Sequence, residues 1–159
     1  MTPDARRRLV ALSMRCNPLV TAVLRSPAHW LLSPGLMLLT VTGRKSGRHY
    51  TIPVGYHRLD DCIVVLVAEA RSKQWWRNYR TPGQVELRLR GKTLHGTAEA
   101  LAPASAEFKR LAETTFRRAR MVPAIFGIDF DKRTGLTSAQ LEQLGAQAAI
   151  VKITAEPAA

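Results

Sequence analysis

Two apolar, β-branched runs, Leu36 to Thr42 and Tyr50 to Tyr56, are separated only by Gly43-Arg44-Lys45-Ser46-Gly47-Arg48-His49. A parallel pair would need a crossover of about a dozen residues or more, so a connection this short makes the two runs antiparallel neighbours. A third apolar run, Cys62 to Ala68, follows a polar turn at Leu59-Asp60-Asp61, and the three runs predict a β-meander. Val85, Leu87 and Leu89 then alternate with Glu86, Arg88 and Arg90. A Gly91-Lys92 turn leads to a partner strand over Thr93 to Ala100, which predicts a hairpin with one wet face. The last strand is expected over Ala148 to Thr154, with a frayed tail from Ala155.

The helical signals lie around these strands. Residues 4 to 16 place Leu9, Leu12 and Cys16 at helical spacing, with Arg6, Arg7, Arg8 and Arg15 on the remaining face. Asn17-Pro18 stops that helix, a short one runs from Pro18 to Leu24, and Ser33-Pro34-Gly35 marks a turn. Ser72 is positioned to cap a helix reaching Tyr79, closed by Thr81-Pro82-Gly83. From Ser105 to Ala119 the apolar positions Phe108, Leu111, Ala112, Thr115 and Phe116 predict an amphipathic helix whose one face covers the sheet. Residues 121 to 137 are punctuated by Pro and Gly and carry no clear period, and another short helix is expected near Ser138 to Leu144. About six strands joined by short connections or a single helix favour a mainly β fold, an antiparallel barrel with flanking helices. The expectation is one domain over 1–159, with a helical segment at 1–35 and the barrel with its covering helices over 36–154.

Charge narrows the partners. Lys and Arg number 24 against 12 Asp and Glu, a formal charge of +12, which concentrates anions around the protein. The arginines are spread over several segments with no nucleic-acid-binding motif beside them, so no nucleic acid partner is expected. An anionic small molecule or an anionic membrane surface remains. The helix over residues 4 to 16 suits peripheral contact with lipid. No apolar run approaches the ~20 residues of a membrane span, and no cleavable leader precedes the fold, so a cytoplasmic protein is expected, with that helix free to touch the inner membrane face. Cys16 and Cys62 lie in unlike surroundings and form no disulfide framework, and His29, His49, His57 and His95 lack metal-ligand spacing, so no metal is expected.

The Gly43 to Arg48 turn carries the chemistry. Its two glycines let the backbone bend sharply and present N–H groups, with three cations and a hydroxyl alongside. Such a turn is either a solvated basic loop or a cradle for phosphate, with Arg as a planar fork, Lys as a mobile charge and Ser as a neutral donor. The spacing is not that of a Walker loop, and a strand rather than a helix follows.

Leu38-Leu39-Thr40-Val41-Thr42-Gly43-Arg44-Lys45-Ser46-Gly47, a following strand with Pro53 and Tyr56, and then Trp75-Trp76-Arg77-Asn78, resemble the deazaflavin-dependent nitroreductase family over roughly residues 36 to 100. The resemblance implies a split β-barrel holding the reduced deazaflavin coenzyme F-420. The coenzyme's phosphate and oligoglutamyl tail would meet Arg44, Lys45 and Ser46, with Gly47 and Arg48 beside them. Its ring would lie against Pro53 and Val54 and against the segment Ala68, Glu69, Ala70, Arg71, Ser72 and Lys73. Trp75 and Trp76 would wall the pocket and Asn78 would orient that wall. The reaction implied is hydride transfer to a hydrophobic acceptor such as a quinone, nitroaromatic or activated alkene, with Tyr56 as proton or hydrogen-bond donor. The chain departs from the family in having Gly55 before Tyr56 in place of two aromatics, and Phe116, Phe126 and Phe130 but no tyrosine after Tyr79. Two rival expectations stand beside this one: a split barrel binding FMN through its single phosphate, and a non-catalytic cofactor-binding or membrane-surface protein. Exposed barrel faces leave room for a homodimer.

Overall fold

The computed structural model describes residues 17–157, so the helix expected over residues 4 to 16 lies outside the described residues. The first described helix, α1 (Asn17–Arg25), is followed by a 3-10 turn over Pro27–Leu31, whose first N–H groups are met by Ser26 Oγ accepting from Ala28 N at 3.1 Å. Seven strands follow: β1 (Leu36–Thr42), β2 (His49–Gly55), β3 (His57–Arg58), β4 (Ile63–Ala68), β5 (Gly83–Leu89), β6 (Lys92–Ala100) and β7 (Ala148–Ala155). They form one antiparallel sheet in the order β2-β1-β5-β6-β7-β4-β3. Helices α2 (Ala106–Arg118), α3 (Val122–Ile125) and α4 (Ser138–Gln147) fill the connection between β6 and β7.

The order of the strands explains the barrel. β2 and β3 occupy opposite edges of the sheet, yet only Tyr56 separates them in the chain. The sheet must therefore curl until its edges meet at that residue. Tyr56 is 6% exposed, donates its hydroxyl to Ser33 O at 2.6 Å, and donates its N–H to Gly35 O at 3.2 Å. The expected three-strand meander is thus interrupted. The second run pairs with β1 through β2, its continuation pairs with β4 through β3, and β4 takes β7 as its other neighbour. The count of seven rather than about six follows from the same break.

Two cores sit on the two faces of the sheet. Met37, Leu39 and Val41 of β1, Val65 and Val67 of β4, Leu87 of β5, and Val151 and Ile153 of β7 fill the barrel interior. The alternate residues Val64 and Ile150 face outward onto Phe108, Leu111, Ala112 and Phe116 of α2 and Leu144 of α4. A continuous apolar run at β4 is required because both its faces are covered. Helix α2 starts where Ser105 Oγ accepts from Phe108 N at 3.1 Å, and buries Phe108, Leu111, Ala112, Thr115 and Phe116, the face expected from the 3.6-residue period. Helix α4 opens on a capping box between Thr137 and Gln140. It runs to Gln147, three residues beyond the expected Leu144, and passes directly into β7.

The turn of the β5–β6 hairpin is Arg90-Gly91, one residue earlier than expected, with Lys92 opening β6. Both turn residues have positive φ, 49° at Arg90 and 78° at Gly91, the arrangement that matches a two-residue connection to the right-handed twist of the strands. The positive φ favours glycine at position 91, and a Cβ there would also come to 2.7 Å from His29 Nε2, so the imidazole would have to shift. The single helix expected over 72 to 79 is instead two 3-10 turns, Ala70–Ser72 and Trp75–Tyr79. Ser72 does not cap. Its hydroxyl donates back to Glu69 O at 2.9 Å, which closes the first turn rather than opening a helix.

Candidate functional site

The register gathers the unusual residues at one end of the barrel. β1 ends there at Thr42 opposite His49, β4 ends at Ala68 opposite Ala148, and β5 begins at Gly83 opposite Ala98. The connections 43–48, 69–82 and 101–105 therefore emerge together. Residues separated by more than thirty positions in the chain become neighbours.

The basic turn is built by its own backbone and then fastened from outside. Gly43 N donates to Arg48 O at 2.9 Å, Gly47 N to Gly43 O at 2.8 Å, and Arg48 N to Ser46 Oγ at 3.3 Å. Gly47 holds φ +64°, and a Cβ at Gly43 would meet Ser46 Oγ at 2.8 Å, so both glycines have a local reason. Arg44 N donates across the site to Asn78 Oδ1 at 3.2 Å. Asn78 in turn donates through Nδ2 to Trp75 O at 3.0 Å and to Tyr50 Oη at 3.4 Å. Its amide thus bridges the basic turn, the start of β2 and the second 3-10 turn. Among the described residues the N–H groups of Lys45 and Ser46 have no protein acceptor, and Arg44, Lys45 and Arg48 form no ion pair. Two free amides beside three uncompensated cations are the donor set an anion takes.

The segment after β4 completes this end. Glu69 turns the chain with φ +52°, an uncommon conformation for a side chain of that kind, and sends it into the turn Ala70–Ser72. Trp76 Nε1 donates to Ala70 O at 2.8 Å, which locks the two 3-10 turns together. Lys73 is half-buried, and burial holds its ammonium below the usual lysine range while Glu69 pulls it back upward. Trp75 points into the barrel interior with Val54, Ala70 and Tyr79. The Tyr79 hydroxyl is buried with no hydrogen-bond partner in the protein, and burial, with Tyr50 adding to it, pushes its pKa up to about 12.

The expected residues divide into three groups. Arg44, Lys45, Ser46, Gly47, Arg48 and Asn78 come together as one basic corner, linked through Asn78 and Trp75 to the segment Ala68 to Lys73 and to Trp76. Pro53 and Val54 lie farther along β2 and point to opposite faces, Val54 into the interior cluster and Pro53 outward beside Leu38. Pro53 is five residues from Arg48, roughly 17 Å along an extended strand, so a ligand touching both must be elongated. β2 is an edge strand, where a proline costs no ladder hydrogen bond. Tyr56 stands apart. Its hydroxyl donates to Ser33 O inside the fold, which ties it to barrel closure. Tyr50 and Arg77 were not singled out by sequence reasoning. Tyr50 is visible as the first aromatic of β2, but its partner Asn78 is 28 residues away and no local pattern joins them.

A sequence profile of F420H(2)-dependent quinone reductases matches residues 22–123, which span the basic turn, β1 to β6 and helix α2. No curated protein matches the chain in sequence. Among solved structures, a heme storage protein of Vibrio cholerae, HutZ, superposes with a TM-score of 0.52 at 10% identity, covering 84% of this chain and 92% of its own. An FAD and heme binding protein of Mycobacterium smegmatis gives a TM-score of 0.52 at 16% identity, covering 83% of this chain and 67% of its own. A structure described as an F420-H2 dependent reductase, FDR-A, gives 0.47 at 15% identity, covering 74% of this chain and 93% of its own. The first two establish the split-barrel architecture.

Proposed function

The chain belongs to the F420H(2)-dependent quinone reductase family, and from that premise we propose that it is an oxidoreductase that holds a reduced deazaflavin at the basic corner and delivers its hydride to a quinone or a like hydrophobic acceptor. The observation that carries the reading is the fastening of the basic turn by Asn78, with the Lys45 and Ser46 amides left without a protein acceptor beside three cations that form no ion pair among the described residues. The fit is tested by the donor set itself. A phosphate needs several donors converging from a fixed frame, and here the frame is preformed by four hydrogen bonds.

The reduced coenzyme supplies the hydride, and the protein's part is binding and orientation. Arg44, Lys45 and Arg48 neutralise the phosphate and the carboxylates of an attached tail, and Ser46 contributes a neutral donor. The half-buried Lys73 and the backbone from Ala68 to Ser72 form the next stretch of the cradle. Trp76, held by Ala70 O, keeps that stretch in place. No side chain is asked to form a covalent intermediate. A smaller cofactor with one phosphate, FMN, would use the turn alone.

Oxidation of the reduced deazaflavin with menadione as acceptor tests the proposal, followed by the return of oxidised-coenzyme absorbance in wild type and in Arg44→Ala/Lys45→Ala. Two solvent-accessible charge contacts of about 0.7–1 kcal/mol each correspond to at least a tenfold rise in KM for the coenzyme in the double variant, with kcat changed much less. Absence of acceptor-dependent oxidation in the wild type would refute the catalytic reading.

A further inference from the structure

A cavity opens on the flank of the Trp75–Tyr79 turn away from the basic corner. It encloses about 470 Å³ and is lined by Trp76, Arg71, Arg77 and Arg80, with Ala70, Leu101, Ala148 and Ala149 among the small apolar residues of its floor. None of residues 43–48 lines it. Asn78 faces the basic turn while Trp76 faces this cavity, as expected for positions two apart on a 3-10 turn of three residues per turn.

The walls have a definite chemistry. The indole of Trp76 is fixed by its hydrogen bond to Ala70 O. The guanidinium carbons of Arg77 and Arg80 lie 5.7 and 5.3 Å from its ring centroid. Arg77 is oriented by Gln74 Oε1 at 2.9 Å and Arg71 O at 3.5 Å, while its Nε is buried without an acceptor. Among the described residues, Arg71, Arg77 and Arg80 form no ion pair, and no Asp or Glu lines the cavity. Glu69, with Arg71 and Ser72, borders the neighbouring depression and is the acid nearest in the chain.

We propose that this cavity, which shares Ala70, Arg71 and Trp76 with the stretch assigned to the coenzyme but none of the basic turn, binds an organic carboxylate with a flat apolar body. The guanidinium groups take the carboxylate as a planar bidentate acceptor, and the apolar lining of Trp76, Leu101 and the alanines takes the body. The volume lies in the range of small-molecule sites and is far larger than a bare inorganic anion requires. An apolar floor under three cations selects against both a fully polar anion and a neutral hydrocarbon.

Calorimetric titration of the full chain, with no deazaflavin present, uses 2-naphthoate, its neutral methyl ester and inorganic phosphate as probes. One site for 2-naphthoate is expected, with the ester and phosphate each bound at least tenfold more weakly. Arg80→Ala, at an exposed position, is expected to weaken 2-naphthoate about tenfold, and Trp76→Phe several-fold. Arg44→Ala/Lys45→Ala should leave its affinity unchanged. Equal affinity for acid and ester, no loss in Arg80→Ala, or loss in the Arg44/Lys45 variant would each overturn the assignment. The coenzyme titration is a separate experiment, so failure here leaves the deazaflavin reading standing, and failure there leaves this one.

Discussion

Asn78 carries three hydrogen bonds with one small amide, and each joins a different segment. Replacing it with alanine frees Arg44 N, Tyr50 Oη and Trp75 O together. At about 1 kcal/mol per net bond, with only part of the loss felt by the bound anion, coenzyme affinity should fall roughly five- to tenfold in Asn78→Ala. Asn78→Asp keeps an acceptor for Arg44 N but sets a carboxylate against Trp75 O and beside the anion, so its loss should be larger. A fluorescence titration of the two variants checks that ranking. Tyr56 makes the opposite kind of prediction. Tyr56→Phe leaves the Ser33 carbonyl unpaired in a buried position and should lower unfolding free energy by about 1–2 kcal/mol in urea, with coenzyme affinity unchanged. The side chains of this site were readable as types before their partners were. Arg44, Lys45 and Asn78 stand out in the sequence, but the bond between positions 44 and 78 depends on how the sheet curls.

Elements that declare themselves by period formed where expected, and those built by tertiary contact did not. β1 follows from a continuous apolar run, buried on both faces, and α2 from a 3.6-residue period that fixes its buried face. The 69–80 segment has no period. A serine preceding a possible helix there prompts a capping reading, which the structure replaces with two 3-10 turns because Ser72 bonds backward to Glu69 and Trp76 bonds to Ala70. The hairpin gives a test of local strain. Arg90 sits at φ 49°, where an L-residue other than Gly, Asn or Asp costs about 1 kcal/mol or more. Arg90→Gly should therefore raise the urea midpoint, by an amount corresponding to about 0.5–1 kcal/mol, without altering the slope. A lowered midpoint would mean that the Arg90 side chain contributes more than its backbone conformation costs.

At the scale of the whole molecule, burial and charge set the response to pH and salt. Burial first, then the neighbouring Asp61, pushes the Cys62 thiol from 9.0 up to about 11. A raised folded-state pKa means that the associated stability is fully present below pH 9 and is lost as pH rises toward 11, because the unfolded chain gives up its proton first. Tyr79, with its pKa raised to about 12, adds a second loss above pH 10. Unfolding free energy should decline from about pH 9 upward, and Cys62→Ala should remove the first part of that limb. The same burial should make Cys62 slow to alkylate at pH 8 in a Cys16→Ser background. The closure of the sheet at Tyr56 and the cavity between 70–80 and 145–149 belong to this scale too, and no single segment announces either. The net charge of +12, by contrast, is plain from composition and points to an anionic partner without saying where it binds.

The most direct test is a fluorescence titration of the protein with oxidised deazaflavin coenzyme bearing its oligoglutamyl tail, repeated across salt concentrations, with FMN and with Arg44→Ala/Lys45→Ala. The account predicts saturable coenzyme binding that weakens steeply with salt, a weaker and flatter response for FMN, and a loss of at least tenfold in the double variant. Coenzyme binding that ignores both salt and the double substitution, or no binding at all, would contradict it.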